Sequence, residues 1–180
     1  MDIFSKNHID FEQVKKSKRW YDTQIAAMGR VTPGQVLNSG PQTAKIVPGS
    51  LYFFRYDPKF KDTLPYYDTF PMVFPYKPVP GGILALNLHY LSYPERIVIL
   101  RGLVAINGSK LDKNTKIRQS WGFLSGAAAQ LSERCIKMYL YDHIQSPFAK
   151  VDPTDWTTAM FLPVERFVGA SKEHVWSRNK

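Results

Sequence analysis

The strongest pattern of apolar and polar positions lies in residues 48–91. Two runs, 51–56 and 70–76, are rich in aromatic and β-branched side chains and are bounded by proline and glycine, which favours strands. The polar segment between them, DPKFKDTLPYYD, predicts a long loop. Pro80-Gly81-Gly82 predicts a turn before a third strand at 83–91. We therefore expect a small, strongly bent antiparallel sheet, for which closure into an SH3-like barrel is one solution.

After residue 92 the pattern becomes helical. Ser92 and Glu95 have the spacing of a capping box, with Pro94 in the first turn, and this helix should end near Asn107. A further short helix can begin at Asn114, and apolar residues across 130–144 form a wide helical stripe. Strands followed by a mostly helical C-terminal half are typical of an α+β fold.

Two more helices are predicted near the C-terminus. Asp152 has the position of an N-cap, with proline next to it, and the helix that follows should bury Trp156, Met160 and Phe161. Ser171 should cap a final turn before the basic tail VWSRNK.

Before the sheet, residues 5–30 predict a helix that begins at Asp10 and ends at Gly29. Residues 31–49 contain three prolines and three glycines with little periodicity, which predicts a linker or an extended arm. We therefore divide the chain into an N-terminal helix and arm at 1–47 and a compact domain at 48–180. In that domain, 48–91 is the β part and 92–180 the helical part.

The chain has 180 residues and 44% hydrophobic residues, enough for a real core. Its 24 lysines and arginines exceed its 15 acids, giving a net charge of +9. Nucleic acid, an acidic protein surface and solubility are all consistent with this charge. No segment is apolar enough to span a membrane, and the N-terminus lacks a signal-peptide pattern. The single cysteine, Cys135, is predicted to be a buried thiol.

The predicted first helix contains a basic run, residues 15–19, that is followed directly by the aromatic residues Trp20 and Tyr21. Cations there could bind phosphate and the aromatic rings could stack on bases, whereas the alternative is a solvated helix face anchored by Trp20. Our candidates for nucleic-acid contact, chosen by charge, are Lys15, Lys16, Lys18, Arg19, Trp20, Lys59 and Lys61, with Arg118, Arg178 and Lys180 as secondary candidates.

Catalytic motifs are missing from the sequence. The four histidines have no metal-ligand spacing, and no phosphate-binding loop is present, so we expect neither metal nor cofactor. A carboxylate beside a histidine could act as general base, and the group that offers this comprises Asp57, Asp62, Tyr66, Tyr67, Asp68 and His89. The alternative, which we favour, is structural: these hydroxyls and carboxylates pin the loop backbone, and His89 is a buried structural histidine.

One resemblance is more specific than any single motif. The stretch 48–91, together with CIKMYLYDHIQSPF and DPTDWTTAMFLPVERFVGASKEHVW, resembles a family of small structural proteins of T4-like tailed bacteriophages, the DNA end protectors or head-completion proteins. The resemblance covers roughly residues 48–180 and carries over no catalytic residues.

This resemblance implies a non-enzymatic virion protein, assembled in the host bacterial cytoplasm. Its partners would be other virion proteins and double-stranded DNA ends, with no membrane. The expected function is to bind DNA ends or to close the packaged head. The alternative is a tail, neck or baseplate component that contacts proteins only, and a third reading is a nuclease or hydrolase that uses the Asp/His loop.

Overall fold

In a computed structural model of the chain, the described residues are 2–15, 17–130 and 133–178, apart from the side chains of residues 128, 129 and 133. The α-helices are α1 (Ile3–Lys6), α2 (Lys18–Met28), α3 (Pro33–Leu37), α4 (Tyr93–Asn107), α5 (Lys113–Gln130), α6 (Trp156–Phe161) and α7 (Lys172–Ser177). The strands are β1 (Gln42–Thr43), β2 (Leu51–Phe53), β3 (Tyr67–Asp68), β4 (Met72–Val79), β5 (Gly82–Asn87), β6 (Ile136–Leu140), β7 (Phe148–Val151) and β8 (Phe167–Val168). Short 3-10 helices lie at Phe11–Gln13, Leu88–Tyr90, Glu133–Cys135, Tyr141–His143 and Pro153–Asp155. The fold is α+β, as the sequence predicts.

Six strands form one antiparallel sheet in the order β1-β7-β2-β4-β5-β6. A shift of register between Pro75 and Lys77 marks a bulge in β4, which bends the strand. The two outer strands, β1 and β6, do not pair with each other within the described ranges, so the SH3-like barrel is wrong. β1 from the arm, and β6 and β7 from the second half of the chain, add to the sheet. The three predicted strands therefore do not close on themselves. β3 and β8 form a separate two-stranded ladder.

The helix predicted over 130–144 is wrong. Residues 136–140 form β6, which pairs with β5 from Leu86↔Ile136 to Gly82↔Leu140. The segment IKMYL is rich in side chains that suit a pleated surface, and its long-range pairing with β5 satisfies the backbone. Because β7 and β8 also lie after residue 92, the prediction of a mostly helical C-terminal half is only partly correct.

The third predicted strand ends early. β5 stops at Asn87, whose side chain accepts a hydrogen bond of 3.0 Å from the backbone N–H of His89. This bond caps the 3-10 helix at Leu88–Tyr90 and turns the chain away from the sheet. The turn places His89 in the core instead of on a strand face.

Three predicted helix starts are confirmed. Ser92 and Glu95 form the capping box of α4, in which the Ser92 N–H donates to the Glu95 carboxylate at 2.7 Å. Asp152 caps the 3-10 turn that leads into α6, and Ser171 caps α7. The predicted burial is also confirmed for Trp156, Met160 and Phe161.

The N-terminal region differs from the prediction. Asp10 caps only the 3-10 turn at Phe11–Gln13, and α2 begins at Lys18 after the N-cap Ser17. Gly29 ends α2 with a φ of 66°, as predicted. Residues 31–49 are not simply extended: Thr32 begins α3 with a capping box, and β1 pairs with β7 at the sheet edge.

Both faces of the sheet are covered by apolar side chains. The larger cluster joins the sheet to the helices and includes side chains from α1, α2, α4, α6 and α7. A smaller cluster on the other face contains Tyr52, Phe54, Tyr56, Val73, Ile83, Ala85, Tyr139 and Phe148. In the part of the chain that the structure describes, no helix combines the length and hydrophobicity needed to cross a membrane.

Candidate nucleic-acid interface

A buried polar cluster joins the end of the long loop to the turn after β5. Asp68 accepts a hydrogen bond of 2.9 Å from the Phe70 N–H through Oδ1. Its Oδ2 accepts one of 3.1 Å from Asn87 and lies 2.8 Å from Nδ1 of His89. Asn87 also donates to the Tyr139 hydroxyl at 2.9 Å. The structure thus brings together two members of the predicted loop group, the acid and the histidine.

Asp68 and His89 are arranged like a general base that is oriented by a carboxylate, but both side chains are buried. The side chain of His89 is 0% exposed, and among the described residues its Nε2 has no hydrogen-bond partner. The His89 carbonyl accepts a hydrogen bond of 2.8 Å from the Trp176 indole, which fixes the turn further. Since no substrate reaches a buried Nε2, the geometry favours the structural interpretation of His89.

The rest of the loop group lies apart from this pair. Asp57 is held by Lys61, whose Nζ lies 2.8 Å from its carboxylate, and Asp62 is exposed. In the described structure the hydroxyls of Tyr66 and Tyr67 make no hydrogen bond, which does not support their predicted role in pinning the loop backbone. Their rings line a cleft instead.

A buried ion pair lies beside the histidine. Arg96 donates to Glu165 at 2.8 Å and to the carbonyls of Leu91 and Met160 at 2.9 and 2.8 Å. Burial by itself would raise the pKa of Glu165, but the charges of Arg96, His89 and Lys172 outweigh it and lower the pKa to about 2. This pair therefore clamps α4 to the segment after α6.

The first of three surface features is the aromatic cleft, of about 500 Å³, between the loop 57–66 and edge strand β6. Phe60, at 62% exposure, is the most exposed of its aromatic side chains. The cleft also contains two lysines, and one of them, Lys137, lies with its ammonium 4.3 Å from the centre of the Tyr90 ring. The cleft is lined by Tyr56, Pro58, Lys59, Phe60, Leu64, Tyr66, Tyr67, Asp68, Tyr90, Lys137, Met138, Tyr139 and Leu140.

The second feature is the lysine cleft, of about 360 Å³, where the end of α4 and the start of α5 meet the segment before β2 and the end of β7. Within the described ranges its lining includes Lys113, Lys116 and Lys150 but no acid. Nearby acids have other roles: Asp112 caps α5 through Thr115, and Asp152 caps the turn before α6 through Thr154.

The walls of the lysine cleft are fixed by close packing. Gly49 has a φ of 81°, and a Cβ at this position would collide with the side chain of Ser120 on α5. Lys116 donates to the carbonyl of Asn107 at 2.7 Å, which places its charge at the end of α4. Trp156 forms a buried part of the wall, with its indole donating to the Val151 carbonyl at 3.2 Å. Three lysines thus belong to the lining of this cleft.

The third feature is the α2–α7 groove, which involves the predicted basic helix. Lys15, Lys18 and Arg19 are exposed, and Lys18 lines a groove between α2, the start of α4 and α7. Trp20 packs edge-on against Phe161 at 5.5 Å, so its ring is used mainly as an anchor. This groove also contains two acids, Asp22 and Glu173, and is less positive than the lysine cleft.

The predicted contact residues therefore do not share one surface. Lys59 belongs to the aromatic cleft, and Lys61 next to it is paired with an acid. Arg118 is exposed on α5, one residue after a side chain that lines the lysine cleft, and Arg178 is exposed after α7. Lys16 and Lys180 lie outside the described residues.

Sequence reasoning missed the lysine cleft. Lys113 and Lys116 lie in the segment SKLDKNTKIRQS, whose basic character is visible but whose partner Lys150 is distant in sequence. Only the fold, which places the end of β7 and the start of α5 around one cleft, brings the three together. In the described part of the chain, no group of histidine, cysteine and acidic side chains could hold a metal ion.

A net charge of +9 and clefts lined by lysine or aromatic side chains are typical of proteins that bind nucleic acid. The model of one protein family, the Phage T4 terminal DNA protecting protein, matches residues 6–180. The chain therefore belongs to this family. The resemblance to phage DNA end protectors is confirmed and extends further toward the N-terminus than residue 48. Comparison with curated proteins and comparison with solved structures each return no match.

Proposed function

We propose that this protein binds the ends of linear double-stranded DNA without sequence preference and shields them from exonucleases as a non-enzymatic component of the virion. The family's description supports the DNA end as target. The observation that carries the mode of binding is the lysine cleft, whose lining, among the described residues, includes three lysines and no acid.

Contacts to phosphate explain why sequence should not matter, because the backbone carries no base information. The lysine cleft supplies Lys113, Lys116 and Lys150, and Arg118 lies next to it on α5. The basic face of α2 is a second phosphate contact in this proposal, because Lys18 and Arg19 lie in the first turn of the helix, where the dipole adds positive potential. Its Trp20 keeps the helix in place.

The binding test compares a hairpin DNA that has one blunt end with a dumbbell DNA of the same sequence that is closed at both ends. Fluorescence anisotropy is measured across a salt series. We expect tighter binding to the open end, with an affinity that falls steeply as salt rises. The triple variant Lys113→Gln, Lys116→Gln, Lys150→Gln should reduce the slope of log affinity against log salt by roughly 3, since each neutralised phosphate contributes about 0.9.

Two further variants make this test specific. Replacing Lys15, Lys16, Lys18 and Arg19 by Gln should reduce the slope by roughly 3 to 4 if all four touch phosphate. The matched control replaces three exposed lysines outside the clefts and the groove, Lys6, Lys45 and Lys77, and removes the same charge as the cleft variant. A control slope that falls as much as that of the cleft variant would mean that net charge, and not the cleft, drives binding.

Protection is measured with an exonuclease that degrades linear DNA from its ends. Wild-type protein should slow the loss of labelled blunt-ended DNA, and the cleft variant should protect less at equal concentration. Equal affinity for hairpin and dumbbell would contradict end recognition. No binding at low salt would favour the alternative of a tail, neck or baseplate component.

That alternative has one structural observation in its favour. Val98 on α4 and Trp121 on α5 are large apolar side chains with exposures of 70% and 47%, which a protein neighbour would cover. Electron microscopy of intact particles separates the proposals, because an end protector that closes the packaged head must lie at the DNA exit.

A further inference from the structure

We propose that the aromatic cleft binds a single unpaired nucleotide at the DNA end, with its base stacked on aromatic rings and its phosphate held by Lys59 and Lys137. This inference rests on the proposed function and adds the chemical form of the end that the protein prefers. Proteins that bind single-stranded DNA combine cations with aromatic side chains in the same way.

The cleft offers a ring surface at its rim and a fixed floor. Phe60 is the exposed ring, and its carbonyl accepts hydrogen bonds from the N–H groups of Thr63 and Leu64 at 3.0 and 3.2 Å. These bonds hold the ring on a tight turn although it is exposed to water. At the floor, the Tyr56 hydroxyl accepts a hydrogen bond of 3.1 Å from the Leu140 N–H, which ties the start of the loop to edge strand β6.

The charges of the cleft suit a phosphate. Lys59 and Lys137 are its two lining cations, with the Lys59 ammonium 5.4 Å from the centre of the Phe60 ring. Among the described residues that line the cleft, the one acid is Asp68, and its carboxylate oxygens bind internal partners. Burial lowers the pKa of Lys137, and a bound phosphate would favour its charged form.

The size of the cleft selects one nucleotide. A volume of about 500 Å³ falls within the usual range of about 300 to 1,000 Å³ for small-molecule sites, too small for the end of a duplex. A stacked nucleotide also uses both the rings and the lysines, whereas an apolar peptide would leave the lysines without a partner. The charge complementarity therefore favours the nucleotide.

The experiment uses full-length protein and three hairpin DNAs: one blunt, one with a single unpaired nucleotide at the 3′ end and one with it at the 5′ end. The unpaired base is 2-aminopurine, whose fluorescence is quenched when it stacks on an aromatic ring. We expect at least one overhang to bind about fivefold more tightly than the blunt end, the lower limit for stacking of one base, and to be quenched on binding.

The variants are Phe60→Ala and Lys59→Gln, both at exposed positions, with Val98→Ala as the matched control. Phe60→Ala should abolish the preference for the overhang and the quenching, and Lys59→Gln should reduce the preference. Phe60→Ala should retain blunt-end binding, and Val98→Ala should behave like wild type.

The outcomes separate this inference from the proposed function. Blunt-end binding without overhang preference or quenching in the wild type would overturn the inference alone. An overhang preference that Phe60→Ala leaves unchanged would also overturn it. Failure of the wild type to bind any open end would overturn the proposed function, and the inference with it.

Discussion

The buried pair of Arg96 and Glu165 gives a stability prediction that can be worked out from the structure. Glu165→Gln keeps the shape of the side chain but removes its charge and leaves Arg96 buried without a counter-ion. The side chain of Glu165 is 4% exposed, so water cannot compensate. We expect the free energy of unfolding at neutral pH to fall by about 3 kcal/mol.

Two routes lead to this magnitude. The pKa of Glu165 is about 2 in the folded protein, whereas its ordinary value is 4.5, so the two differ by about 2.5. Each pKa unit corresponds to about 1.36 kcal/mol, and the ionised carboxylate therefore stabilises the fold by about 3 kcal/mol. Removing one member of a buried ion pair costs about 3 to 5 kcal/mol in other proteins. The expected loss of about 3 kcal/mol is smaller than the usual stability of about 5 to 15 kcal/mol, so the variant should still fold.

The pH dependence follows from the direction of the shift. Because the folded pKa lies below the unfolded one, the ionised carboxylate stabilises the fold above about pH 5, and this contribution disappears as the pH falls toward about 2. Urea denaturation followed by tryptophan fluorescence can be measured at about pH 7, 5, 4 and 3. The difference in free energy of unfolding between wild type and Glu165→Gln should become smaller as the pH falls.

The matched control is Glu173→Gln, the same change at an exposed position on α7, which should alter stability by no more than about 0.5 kcal/mol. A gap for Glu165→Gln below about 1 kcal/mol would refute the reasoning. So would a gap that stays constant from neutral pH to about pH 3.

Three further predictions concern other side chains. Tyr66→Phe and Tyr67→Phe should each change stability by no more than about 0.5 kcal/mol in urea denaturation, whereas Tyr56→Phe, which removes a hydrogen bond to β6, should cost about 1 kcal/mol or more. Burial raises the pKa of Cys135 to about 11, so its thiol should react slowly with a thiol reagent at about pH 8 and rapidly once urea unfolds the chain. Purified protein should leave labelled DNA and RNA intact with Mg²⁺ or Mn²⁺; cleavage that His89→Ala abolishes in a folded protein would show a catalytic role.

Sequence reasoning succeeded where short-range chemistry decides the structure. The capping box of Ser92 and Glu95, the cap at Asp152 and the glycine after α2 each depend on neighbours within a few residues, and each is confirmed. The grouping of Asp68 with His89 was also predicted, because the long loop that carries Asp68 was expected to cover the strand that carries His89.

Sequence reasoning failed where pairing between segments that are distant in sequence decides the structure. The apolar pattern of 130–144 suits a helix or a buried strand, and only the partner β5 selects the strand. The bond from the His89 N–H to Asn87 ends β5 early, although the apolar run continues. The lysine cleft needed Lys150 and the start of α5 to line the same cleft, which no local pattern of the sequence contains.

The position of β7 has a consequence for synthesis of the chain. β7 lies between β1 and β2 in the sheet, although it is translated about 100 residues after them. Until residues 148–151 leave the ribosome, β1 has no strand to pair with and one side of β2 stays open. The sheet is therefore completed late in translation, and the nascent chain exposes a strand edge for several seconds at the usual rate of about 5 to 20 residues per second.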